Sequence, residues 1–380
     1  MVLALVTVIA LALAASGRSS ARRTAARPAP GLPAPAPPLG AAESGAFGTN
    51  VYSGTGAGML SPAVADVPYR LYAPNSDAGT VDVIDPLTSR IVEHFTVGVN
   101  PQHVVPAWDL RTLYVANDRS NSLTPVDPRT AKPAGPPIPV DDPYNLYFTP
   151  DGSQAVVVAE ARQRLDFRDP HTFALHRSLP VACPGVDHAD FSADGTYFVA
   201  SCEFSGQLVK VDVATETVVG YLHVGGKPQD VRVDPTGRFF FVADMARGGV
   251  HEVDGDSFTE VGFLPTGPEA HGLYPSRDGS QLYVSNRGGK ANEGSVSVID
   301  FATRHVVATW PIAHGTPDMG GVSPDGKVLW LSGRRSEEVY GIDTTTGRLL
   351  ARIRVGRGPH GLCVWPQPGR LSLGHTGNMR

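Results

Sequence analysis

A phrase that returns seven times constrains this chain more than any other feature of it. Each copy runs turn, Pro, two or three residues, apolar strand, Asp-Gly-type turn, second apolar strand. The openings are Pro101, Pro143, Pro184, Pro228, Pro268, Pro317 and Pro359, spaced 40 to 49 residues apart. A repeat of that length is one four-stranded propeller blade. The hairpin turns Asp151-Gly152, Asp194-Gly195, Thr236-Gly237, Asp278-Gly279 and Asp325-Gly326 place Gly where positive φ is needed. Second strands, such as 113–117 and 282–286, read as apolar runs, whereas third strands, such as 80–85 and 295–300, alternate. Fourth strands over 90–97, 217–224 and 305–310 are rich in β-branched residues. Continuous inner strands and alternating outer ones suit sheets stacked radially around an axis.

The two ends of the repeat region complement each other. Residues 69–75 match the second-strand phrase with no first strand before them, and 361–365 form a first strand with no full blade after it. Six whole units plus these fragments predict an all-β, seven-bladed β-propeller of four-stranded antiparallel blades, the last closed by both termini. That closure removes a sheet edge an open array would expose. Residues 371–380 compete with 71–75 for the second-strand place, and the sequence does not choose between them.

Leu113-Tyr-Val-Ala-Asn117 and Thr80-Val-Asp-Val-Ile-Asp85, repeated at this spacing, resemble the bacterial YVTN-repeat β-propellers, a group that includes YncE-like and surface-layer-type proteins. The likeness covers roughly residues 68–365. Members of that superfamily include lactonases, a streptogramin-inactivating lyase and reductase propeller domains, so the resemblance implies architecture and leaves function to the site.

Before the repeats, residues 2–15 are an uncharged apolar run, too short to span a bilayer comfortably and suited to a signal-peptide core. We expect 1–17 to be a signal peptide or membrane anchor, 18–65 a Pro/Ala/Gly-rich flexible linker, and 66–380 the propeller. An extracytoplasmic, secreted or surface-tethered monomer follows, with the membrane touched only through that anchor. The net charge is −5. Removing residues 1–67, which hold four Arg, one Glu and one Asp, leaves −7, a poor match for a nucleic-acid backbone.

No G-x-S-x-G elbow, H-E-x-x-H, phosphate loop or C-x-x-C-H haem attachment motif occurs. Any site must therefore be assembled from several blades. Aligned on their turns, the first strands begin with Gln102-His103, Tyr144-Asn145, Asp187-His188, Gln229-Asp230, His271-Gly272, Asp318-Met319 and His360-Gly361. Residues ending the second strands, among them Asn117, Asp244 and Asn286, should pair alongside. A channel rim holding His103, Asp187, His188, Asp230, His271, Asp318 and His360 follows, and four of the twelve His in one place is an enrichment. Imidazole with carboxylate suits a divalent metal, while polar strand starts that merely bond channel water would read the same way. Adjacent positions point to opposite faces of an ideal strand, so all four His should not share one coordination sphere.

His271 and His360 share the phrase His-Gly-Leu and are the candidates for a general base. Cys183 and Cys202 read first as a disulfide, second as a soft-metal site with His188. Cys363 reads as core, the four Trp as packing, and Arg162, Arg164, Asp166, Arg168 and Asp169 as a solvated outer face. The sequence thus points to an exported binding propeller that holds a small molecule, metal or protein partner at its rim. A cation-dependent lactonase or lyase, and a redox propeller, stand behind it.

Overall fold

The computed structural model describes residues 50–380; the segment expected to be a signal peptide or anchor lies outside them. Seven four-stranded antiparallel sheets surround one axis. Blade 1 holds Pro101–Pro106, Leu113–Asn117 and Ser122–Asp127. Its outer edge is split into Lys132–Pro133 and Ile138–Pro139, both paired to the third strand. The prolines in this stretch remove ladder donors, so the edge is broken there. Blades 2 to 6 begin with inner strands Asn145–Phe148, Val186–Phe191, Pro228–Val233, Ala270–Pro275 and Pro317–Val322, each followed by three strands in chain order.

Blade 7 is made from both ends of the repeat region. Its inner strand Cys363–Trp365 pairs with Arg70–Asn75, in the register Arg70↔Trp365, Leu71↔Val364 and Tyr72↔Cys363. Residues 70–75 therefore take the second-strand place, and 371–380 go elsewhere. Thr80–Asp85 and Arg90–Thr96 complete the sheet.

Burial follows the radial order. The inner strand of blade 4 is buried throughout, whereas the outer strand of blade 7 is largely exposed. Apolar clusters fill the gaps between sheets; Val296, Val298, Leu329, Leu331 and Ile342, for example, join blades 5 and 6. At the hairpins Gly152, Gly195, Gly237, Gly279 and Gly326 all have positive φ. In four of these turns the Asp carboxylate accepts the backbone N–H two residues on, as Asp151 does from Ser153.

Two segments outside the blades pack at the end of the channel where the inner strands finish. Residues 50–65, expected to be linker, are anchored by apolar side chains. Val51 and Tyr52 pack on blades 3 and 4, and Val64 on blades 1 and 7. The second segment, 366–380, is almost wholly buried and meets blades 1, 2, 3 and 6. Leu60 and Gly369 bridge the two.

Candidate functional site in the channel

The first ligand-grade feature is a local irregularity. In blades 1, 3, 4, 5 and 6 the register between inner and second strand slips just after the inner strand begins. A bulge of this kind breaks the up–down alternation and re-aims side chains. Rings from the first and second positions consequently meet. His103 lies 5.0 Å from His360 between ring centroids, and His188 lies 6.1 Å from His271. The strict alternation expected of an ideal strand does not hold here.

The first positions form an outer layer. Asp318 is fully buried between His271 and His360: His271 Nδ1 is 3.0 Å from one oxygen, and His360 Nδ1 is 2.8 Å from the other. Arg287 donates from Nε to the same carboxylate at 2.7 Å and from Nη2 to His271 Nε2 at 2.9 Å. Burial alone would raise the Asp318 carboxyl, but Arg287 and the two rings hold it well below the usual range. Burial, helped by Arg287, pulls His271 down to about 4, and burial also takes His360 well below its ordinary value. His360 thus gives its Nδ1 proton to Asp318 and leaves Nε2 with no hydrogen-bonding partner among the described residues.

Deeper in, His103, His188 and His375 come together, all fully buried. One ligand-capable atom from each lies within 4.8 Å of the others. His103 Nδ1 donates to the Tyr144 carbonyl at 2.9 Å, which fixes the tautomer and leaves its Nε2 without a partner among the described residues. Asp187 and His188 approach to 2.5 Å but are misaligned for a hydrogen bond, so both Asp187 oxygens and both His188 nitrogens lack one among the described residues. Burial would lower His188; the Asp187 carboxylate outweighs it and raises the ring above its ordinary value. Asp230 sits at the inner wall, 3.6 Å from His375 Nε2 and 3.7 Å from Arg232.

His375 was missed by the sequence reading, which weighed 371–380 only as a strand. The segment Gly374-His375-Thr376-Gly377 is instead a tight loop in which His375 itself has φ 53°. A non-glycine residue held there is strained and persists only when its surroundings fix it. Here the His375 N–H donates to Leu146 O at 2.8 Å, Phe148 N–H to Leu373 O at 3.1 Å, and Thr376 Oγ1 to Gly320 O at 3.1 Å. Beneath the loop, buried Asp190 accepts from Asn378 Nδ2 at 2.6 Å, Arg380 Nη2 at 2.8 Å, Val233 N–H at 2.9 Å and Phe191 N–H at 2.8 Å. Two glycines flanking a histidine, in a stretch without strand periodicity, were the available signal.

Above the histidines, the residues that follow each second strand ring the mouth. In blade order from 7 they are Ser76, Asp118, Glu160, Glu203, Met245, Arg287 and Arg334. Blades 1 to 3 supply acids and blades 5 and 6 supply arginines. Burial, reinforced by Asp187 and Glu203, raises Glu160 to about 8, and burial also raises Glu203.

Other candidates lie off the channel. Asn117 bonds Ser122, Thr124 and the Gly98 N–H; Asn286 bonds Ser295, Ser297 and Thr266. Asp244 accepts from the N–H groups of Lys227, Ala246 and Arg247 and meets His251. These three side chains bond to their own blades and to the loops entering them, because the second strand ends beneath the incoming connection. Cys183 and Cys202 are joined by a disulfide with S–S 2.07 Å, so neither is a thiolate ligand beside His188. Cys363 is buried core. The charged cluster of blade 2 is a solvated face only in part: Arg162 and Asp169 are exposed, but Arg168 is buried and Asp166, fully buried, accepts from Arg164, Arg168 and Ser178.

The model of the YNCE-like beta-propeller family matches residues 56–368. A seven-bladed beta-propeller protein of Mycobacterium tuberculosis is 40% identical over 67 residues, a stretch that covers 17% of each chain. Among solved structures, hydrazine synthase of Kuenenia stuttgartiensis superposes with a TM-score of 0.60 at 21% identity, covering 69% of this chain and 88% of that one. A functionally unknown protein from Desulfotomaculum acetoxidans superposes with a TM-score of 0.66 at 16% identity, covering 78% and 98%. At such identities the structural likeness speaks to fold alone. Blade count, blade closure and the family match agree: this chain belongs to the YNCE-like beta-propellers.

Proposed function

We propose that this protein is an extracytoplasmic binding propeller whose channel holds a first-row transition ion, zinc or copper in its ligand preference, through His103, His188 and His375. One observation carries the reading: three fully buried imidazoles present ligand-capable atoms within 4.8 Å of one another, and His103 Nε2 has no hydrogen-bonding partner among the described residues. Buried imidazole nitrogens without hydrogen-bonding partners are costly unless something satisfies them. Imidazole is a borderline ligand that suits these metals.

The fit asks for a small contraction. Metal–nitrogen bonds of ~2.1 Å in a tetrahedral set put the nitrogens about 3.4 Å apart. Capture therefore draws the rings inward, and the ion takes the place of the proton that Asp187 favours on His188. The Cys183–Cys202 bridge supports export, since such bonds persist in oxidising compartments.

The test uses the full chain purified without an affinity tag. Elemental analysis, followed by titration of the chelated protein with Zn²⁺ and Cu²⁺, should give one equivalent bound. The double substitution His103→Gln/His188→Gln should lower affinity at least a hundredfold. No bound metal, or affinity unchanged in the double variant, would overturn the assignment.

A further inference from the structure

The open end of the channel carries a second, independent feature. A basin of about 810 Å³ at the mouth is lined by Arg119, Arg287, Arg334, Arg335 and Arg357, against the carboxylates Asp77 and Glu337. Two of the five guanidiniums are engaged: Arg287 with Asp318, and Arg335 with Glu269. Glu337, one of the two acids, pairs with Arg354. Among the described residues no carboxylate lies within 4.0 Å of the guanidinium of Arg119, Arg334 or Arg357; Arg357 reaches only the Asp77 carbonyl at 3.5 Å. A chain with a net charge of −5 thus gathers unpaired positive charge at one sector of one opening.

We infer that this basic sector binds a small oxyanion-bearing solute, a carboxylate or a phosphate, with Arg119, Arg334 and Arg357 as its first contacts. The volume falls in the range of small-molecule pockets. A guanidinium fork matches two oxygens of a carboxylate or phosphate at once, and several forks facing one recess select a compact, multiply charged anion. The opposite sector decides the size of the guest. Glu160 and Glu203 stand on blades 2 and 3 of the same ring, so a long polyanion laid across the mouth would meet acids on the far side. Blades 5 to 7 with the edge of blade 1 form a cradle for a small guest, and Arg287 joins its floor to Asp318 and the histidines.

Calorimetric titration of the full chain with citrate and with inorganic pyrophosphate, at low ionic strength, tests this. At least one should bind, with affinity that falls as salt rises. Arg334→Ala and Arg357→Ala should each weaken binding about tenfold, and the Arg119→Ala/Arg334→Ala/Arg357→Ala variant should lose it. Arg334→Lys keeps the charge without the fork and should recover only part of the affinity. The melting temperature of each variant shows whether it is folded, and if the triple variant melts early the single variants decide. Binding of neither anion, affinity retained in the arginine variants, or a single-stranded oligonucleotide bound more tightly than both anions would overturn the inference. Metal content of the same samples is read separately, so this outcome is independent of the histidine site.

Discussion

The two ends of the channel treat charge in opposite ways. At the end where the inner strands finish, Asp190 is fully buried, and four donors converge on it, two of them from 366–380. At the mouth, Arg334 has no carboxylate within ion-pairing distance among the described residues, and both oxygens of buried Asp187 lack a hydrogen bond. One end satisfies its polar groups from within the chain and is a plug. The other leaves them for something else to satisfy. The channel is therefore a blind well, and the difference teaches where to look for a ligand: at the open end and on the histidines beneath it.

The comparison is most easily broken at the plug. Asp190→Ala removes a buried carboxylate that accepts from four donors, Arg380 Nη2 among them, and should cost ~3–5 kcal/mol in denaturant unfolding. A loss under about 1 kcal/mol would mean that the segment is only loosely held. Next comes pH. His271 sits at about 4 in the folded protein, below its ordinary value near 6.5. The unfolded chain then takes up the proton first, so this ring's contribution is complete above pH 6.5 and fades as pH falls toward 4. That amounts to roughly 3 kcal/mol at most. Unfolding curves across that window should show the slope, and His271→Gln should flatten it.

A smaller effect sharpens the reading of the well. The Asn145 amide donates to His375 Nδ1 at 3.0 Å, while its oxygen accepts the Leu146 N–H. That arrangement puts the His375 proton on Nε2. Asn145→Asp would accept a proton at Nδ1, freeing Nε2, and should tighten Zn²⁺ binding about tenfold in titration. Weakened binding would remove His375 from the ligand set. The smallest expected change is Asp66→Asn, which breaks an exposed pair with Arg129 on the 50–67 segment. Its denaturant unfolding curve should nearly overlay that of the parent protein.

The repeat made the fold legible because every blade restates the same turn chemistry and periodicity, and Asp278-Gly279 announces its hairpin without help from the rest of the chain. The rim histidines were legible for the same reason: alignment brings His103, His188, His271 and His360 to the two adjacent positions that open the inner strands. What did not show was anything fixed by distant contacts. The bulges that turn Asp187 and His188 toward one space depend on pairing with the second strand, and no residue type marks them. His375 reaches the well only because Leu146, Gly320 and Asp190 hold its loop, and those contacts come from three different blades. Asn117, Asp244 and Asn286 were placed at the correct height but in the wrong direction, since the strand pattern gives position and the incoming loops give orientation. The division of the mouth into acidic and basic sectors was readable in principle, one residue beyond each second strand.

Blade 7 also sets a timetable for synthesis. Three of its strands, Arg70–Asn75 through Arg90–Thr96, leave the ribosome before all other blades, while their inner partner Cys363–Trp365 follows the last of them. Until then the newborn chain carries an open ladder of N–H and C=O groups on Arg70–Asn75, available to any neighbouring strand. Closure of the ring is thus a long-range event that comes late, and the nascent protein is most exposed to mispairing in the interval before residue 363 emerges.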